Sequence, residues 1–284
     1  MWWQRHSQKK SKHLDTHMSE TIELFVGCAP NGEDAESQMV LEYTARKHSS
    51  LPINIHWMKH STDPKSFWYG WKSETWATPF SGFRWGIPEF CAFKGQAIYM
   101  DSDMIIMHDL ADLWNEPWND TAIIMGKGGW RFCVSKWNCE RAKGVIPSVD
   151  QIRNAPYAHQ QLAHGLPQHP QLEQIFDRQW NNFDGENDNL DDIKILHYTD
   201  MSTQMHFKYA IPRLEETGRK HWYDGEIRPH RRQDVQDLFD QMYAEALDVG
   251  YLPQAYESKQ WIAYQKESQK GYRAANGFDV TQGE

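Results

Sequence analysis

The chain has 284 residues, 39% hydrophobic and 24% charged, the make-up of a globular protein with a real core. Its formal net charge of −9 argues against nucleic acid as the main partner, because neutralising phosphates needs a basic surface. No apolar run is long enough for a secretory leader or a membrane span, so the sequence predicts a cytoplasmic protein without a transmembrane segment.

In chain order, residues 1–18 are basic and His-rich and read as a disordered extension ahead of a domain spanning 19–256. The run Ile22 to Gly27 is strand-like and stops at Cys28-Ala29-Pro30-Asn31-Gly32. A helix follows over about 33–47, with Met39, Val40, Tyr43 and Thr44 at helical spacing, then a strand over 53–58. This β–α–β start suits a nucleotide-binding α/β fold. The loop over 61–79 carries Phe67, Trp68, Tyr69, Trp71 and Trp76; its tryptophans read first as core filling, with a surface for stacking on sugars as the alternative. A helix over 82–93 leads into a buried strand over 97–100, which runs straight into Asp101-Ser102-Asp103 and the apolar Met104 to Ile106. The runs 122–125 and 132–137 predict a strand pair whose glycines, Gly126, Gly128 and Gly129, read as a turn. Residues 149–182 look polar and helical, 192–198 form a last strand, and 234–249 an amphipathic helix. The polar residues 257–284 are expected to fray. Cys28, Cys91, Cys133 and Cys139 lack C-x-x-C spacing and read as reduced thiols. With no internal repeat or linker, a single α/β domain is expected.

Asp101-Ser102-Asp103 is the one D-x-D triplet in the chain. Its place at a strand end gives it weight, since ligands of open α/β sheets bind beyond the carboxyl ends of strands. Two carboxylates at i and i+2 in a tight turn can face one divalent ion, and hard oxygen ligands suit Mn or Mg. Such an ion neutralises a diphosphate leaving group. His197, at the end of another predicted strand, is the candidate third ligand.

Phe83-Arg84-Trp85, followed by Ile87-Pro88-Glu89-Phe90 and the run from Lys94 to Ile105, resembles the GT-A-fold glycosyltransferases, most closely the glycosyltransferase family 8 group. The resemblance implies a Rossmann-like fold with a mostly parallel central sheet flanked by helices. It also implies a Mn-dependent (or Mg-dependent) hexosyltransferase that moves sugar from a UDP-sugar to a saccharide or glycoconjugate acceptor, with retention of configuration. Carried over residue by residue, the metal falls to Asp101, Asp103 and His197. Donor contacts fall to Gly27, Cys28, Ala29, Asn31, Arg84, Asp101 and Ser102, and sugar positioning to Gln160, Gln161 and Asn181. The family's Gly and Lys three and six residues after the metal His are here Asp200 and Thr203; the nearest lysine, Lys208, is the candidate diphosphate contact. His159 stands where the family has an acid. An inverting enzyme would need a carboxylate base, for which Asp150, Asp184, Asp188 and Asp200 are available.

Two rival readings remain at the level of sequence. A sugar-phosphate nucleotidyltransferase should carry a basic glycine-rich loop after its first strand, yet residues 27–36 hold no Lys or Arg. A non-enzymatic carbohydrate-binding protein would use the aromatic loop and need no metal carboxylates.

Overall fold

The computed structural model describes residues 21–71, 76, 78–129, 132–154, 162, 165–183, 186, 189–198 and 202–258. Nine strands lie among them: β1 (Ile22–Gly27), β2 (Ile53–Met58), β3 (Gln96–Asp101), β4 (Met104–Ile106), β5 (Ile124–Gly126), β6 (Val134–Asn138), β7 (Glu173–Ile175), β8 (Asn182–Phe183) and β9 (Ile195–His197). The helices are α1 (Ala35–His48), α2 (Ile87–Phe90), α3 (Leu110–Asn115), α4 (Val149–Asn154), α5 (Phe207–Glu216) and α6 (Gln233–Asp248).

The central sheet has the order β2-β1-β3-β6-β5-β7. β6 alone runs against its neighbours; β1, β2, β3, β5 and β7 share one direction. That near-parallel sheet is covered on both faces, which is why β1 and β3 read as continuous apolar runs rather than as alternating ones. Leu24, Val26, Ile98 and Met100 face a layer that includes Leu110, Leu113 and Trp114. Phe25 and Tyr99 face the other way, into a cluster of Trp68, Trp71, Trp76, Trp85 and Trp137. A small second sheet, β4-β9-β8, stands beside the first.

Two alignments place the candidate site. Gly27 at the end of β1 pairs with Asp101 at the end of β3. Met104, the first residue of β4, pairs with His197, the last residue of β9. The turn between Asp101 and Met104 therefore lies at the carboxyl end of the central sheet with His197 next to it.

Several elements differ from expectation. In place of one helix over 82–93 there is a 3-10 turn, Phe83–Gly86, and the single turn of α2. The chain then enters the left-handed region at Ala92 and Phe93, and Phe93 N–H closes on the Pro88 carbonyl at 2.7 Å. Among its described residues the stretch over 149–182 forms α4 and short 3-10 turns, and supplies the edge strands β7 and β8. Strands this short carry too few residues for a period of two to show. Helix α5 has no counterpart in the sequence reading, because Pro212 sits inside it and reads as a breaker. In the aromatic loop the core reading holds for Trp68, Trp71 and Trp76, which are buried, and among its described aromatics Tyr69 alone is exposed. All four cysteines are free thiols. No helix among the described residues is long and apolar enough to cross a membrane. Residues 1–18 and nearly all of 257–284 lie outside the described residues.

Candidate metal and donor site

Asp101 closes β3, and its backbone N–H donates to the Cys133 carbonyl at 3.1 Å. Its Oδ1 accepts from Arg84 Nη2 at 3.1 Å and from the Tyr99 hydroxyl. Arg84 is fixed in turn, with Nε donating to the Ser81 carbonyl at 3.0 Å and its guanidinium 4.5 Å from the centre of the Tyr99 ring. Burial works against the charge on Arg84, but Tyr99 and Asp101 more than offset it and hold the guanidinium protonated.

Asp103 lies across the turn. One carboxylate oxygen is 3.3 Å from His197 Nε2, and the other accepts from Gln204 Nε2 at 3.0 Å. Ser102, between the two acids, donates to Asp34 at 2.7 Å. Asp34 also accepts from the Ala29 N–H at 3.1 Å and from Gln38 at 2.5 Å, so one buried carboxylate clamps the loop after β1 to the D-x-D turn.

Asp101, Asp103 and His197 each offer a ligand atom, and these atoms lie within 4.8 Å of one another. Asp101 and Asp103 are 9% and 8% exposed and His197 2%, so a bound cation would be shielded from bulk water while two carboxylates cancel its charge. Two hard oxygens and one imidazole suit Mn or Mg. Burial opposes a charge on His197, yet the neighbouring Asp103 carboxylate outweighs it and lifts the imidazole to about 10. A proton on that nitrogen and a metal at the same place exclude one another.

Around His197 the structure gathers Asn181, a sequence candidate, together with groups that the sequence reading gave no role. Phe183 packs on the imidazole at 4.7 Å between ring centres. Lys127 lies 4.9 Å from the centre of the Phe183 ring, pairs with Glu186, and donates to the Asn181 carbonyl at 2.8 Å. Asn181 is fully buried, and neither side-chain polar atom has a partner among the described residues. Such an orphaned amide costs roughly 1–3 kcal/mol unless something else completes it. His206 is likewise buried with both ring nitrogens unpartnered; burial holds it neutral although Asp34, Glu36 and Asp103 pull the other way. Lys127 sits in a Gly-rich turn and Gln204 in a polar loop, where no spacing announces a role.

The other sequence candidates fall in different places. Cys28 and Ala29 are fully buried, and the Asn31 side chain is engaged with Glu33 at 3.2 Å. Ser258 packs on this loop, its backbone N–H donating to the Asn31 carbonyl at 3.2 Å and its hydroxyl to the Pro30 carbonyl at 2.8 Å. Lys208 is paired with Asp240 of α6. Gln160 and Gln161, with His159, Asp184, Asp188 and Asp200, lie outside the described residues. Asp150 is exposed on α4.

Among solved structures, the chain is similar to the glycosyltransferase GlyE of Streptococcus pneumoniae TIGR4, with a TM-score of 0.53 at 15% identity over 85% of this chain. It spans 66% of the GlyE chain's length. The galactosyltransferase LgtC, solved with donor and acceptor sugar analogs, aligns with a TM-score of 0.49 at 10% identity, over 83% of this chain and 99% of that one. No protein-family model matches the sequence, and no curated protein does. The molecule has a GT-A-like glycosyltransferase fold.

Proposed function

We propose that this protein is a glycosyltransferase that uses a divalent cation, Mn or Mg, held by Asp101, Asp103 and His197, to transfer a hexose from a nucleotide-sugar, in first place a UDP-sugar. The observation that carries this reading is the convergence of three ligand atoms at the carboxyl end of β3, in a fold similar to that of a glycosyltransferase. When bound, the cation supplies charge neutralisation for the diphosphate as it leaves.

The chain's own residues have separable tasks. Arg84 holds the Asp101 carboxylate in place and puts a fixed positive charge beside it. Gln204 fixes the Asp103 rotamer. Asp34, through Ser102 and Ala29, sets the distance between the β1 loop and the D-x-D turn, the two walls between which a nucleotide would lie. Asn181, with an amide donor and acceptor left open, suits hydroxyls of a transferring sugar, and Gln160 and Gln161 remain candidates for the same task. A saccharide or glycoconjugate hydroxyl is the acceptor this reading requires, and retention of configuration follows from the resemblance alone.

Direct Mn binding, followed by electron paramagnetic resonance, tests the proposal. Wild-type protein with UDP present is expected to sequester Mn stoichiometrically, and Asp103→Asn to lose most of that affinity. Equal Mn uptake by the two proteins would refute the assignment.

A further inference from the structure

A cavity of about 740 Å³ opens at the other end of the central sheet from the acidic pair. Glu23 comes from the beginning of β1 and Phe25 from its middle, Gln96 from the first position of β3, and Asn138 from the last position of β6, which β3 meets antiparallel. Gln96 precedes Asp101 by five positions in β3, roughly 17 Å of strand at ~3.3 Å per residue, while Phe25, in register with Tyr99, reaches to two positions short of the level of Asp101. No residue placed in the metal and donor site lines it.

Its walls are aromatic and already fixed. Phe25 and His56 stack at 4.3 Å, and Phe90 meets them edge-on at 5.3 and 5.2 Å. His56 Nε2 is held 2.5 Å from Glu23. On the opposite side Trp118 Nε1 donates to Gln96 Oε1 at 3.1 Å, and Gln96 Nε2 donates to the Trp114 carbonyl at 3.1 Å. A ligand entering here meets rings that need no ordering, which removes one of the main costs of binding.

The lining also selects chemistry. Its charged groups are Glu23 and Glu140 against Lys94, with His56 beside Glu23. There is no positive excess, so a phosphate or nucleotide is a poor fit. The carboxylates of Glu23 and Glu140 reject a greasy chain, which would strip them of water. A neutral molecule with a flat C–H face and many hydroxyls satisfies both halves of the wall, the rings taking the face and the carboxylates accepting from hydroxyls. The volume falls within the roughly 300–1,000 Å³ of small-molecule sites. We propose that this cavity is a saccharide-binding subsite, distinct from the transfer centre, with room for a di- or trisaccharide. It takes its ligand without donor or metal, so it stands or falls independently of the transfer reaction.

Saturation-transfer NMR on the full chain, with lactose, cellobiose and maltotriose as probes and no nucleotide or metal, tests this. At least one sugar is expected to receive saturation in wild type. Trp118→Ala and Glu140→Arg should each weaken its binding at least tenfold, and Asp103→Asn should leave it unchanged. Glu140 is exposed, so its substitution decides the matter even if Trp118→Ala fails to fold. Silence from all three sugars overturns the proposal, as does less than a tenfold effect of Glu140→Arg. Loss of binding in Asp103→Asn would move the sugar to the transfer centre and also overturns it.

Discussion

Asp103 is held by two different neighbours, His197 at 3.3 Å and Gln204 at 3.0 Å, and they ask different things of it. His197 shares the cation with Asp103, whereas Gln204 only orients the carboxylate. Groups that orient a metal ligand are typically worth 10- to 100-fold in affinity. Gln204→Leu is therefore expected to weaken Mn binding by about that factor while the protein stays folded, read by the same resonance titration. Glu33 offers a separate test of burial. Its carboxyl is pushed up from 4.5 to about 7, chiefly by burial, although hydrogen bonds from Asn31 work the other way. A carboxyl with a folded value above its unfolded one keeps its proton longer in the native state, so stability falls as pH rises from about 4.5 to 7 and is level above that. The full shift corresponds to about 3 kcal/mol. Urea midpoints across that window should fall less steeply with pH in Glu33→Gln than in wild type; identical slopes would place the proton elsewhere.

At the scale of elements, the sequence made legible what rests on long, regular patterns. α1, β1, β2, β3 and α6 stand within a few residues of expectation, since each carries an unbroken apolar pattern. The D-x-D turn was legible because the buried strand before it fixes where its carboxylates emerge, and His197 for the same reason. Lys127, Gln204 and His206 were not, because they reach the site through pairings distant in sequence: β5 beside β6, and the loop between β9 and α5. α5 was hidden by Pro212. What holds α5 in place is Arg213, whose guanidinium grips Glu36 of α1 at 2.6 and 2.9 Å and Glu257 at 2.6 Å. Glu36 is 1% exposed, so Arg213→Ala would strand a buried carboxylate. Breaking a buried pair in this way costs roughly 3–5 kcal/mol. A drop of that size in unfolding free energy, measured with urea, is expected; a change under about 1 kcal/mol would show that solvent reaches Glu36 freely. At the end of β1, a Cβ on Gly27 would sit 2.7 Å from the Tyr99 hydroxyl and 2.9 Å from Phe80. Overpacking of this kind costs about 1–3 kcal/mol, and since Tyr99 bonds Asp101, Gly27→Ala should lower both melting temperature and Mn affinity.

Over the whole molecule, the near-parallel sheet works as a frame with two different ends. At its carboxyl end the loop after β1, the D-x-D turn and the end of β9 are drawn together by strand register and by the Asp34 clamp. At its other end, preset aromatic walls enclose a cavity with no positive excess. Transfer chemistry at the first of these ends is read by incubating the purified chain with a panel of nucleotide-sugars, with and without Mn, and measuring release of free nucleotide. Metal-dependent release from one donor, abolished in Asp101→Asn, is the predicted result. Release that persists without a divalent cation, or that survives in Asp101→Asn, would contradict the account, as would no release from any donor by protein that binds no Mn.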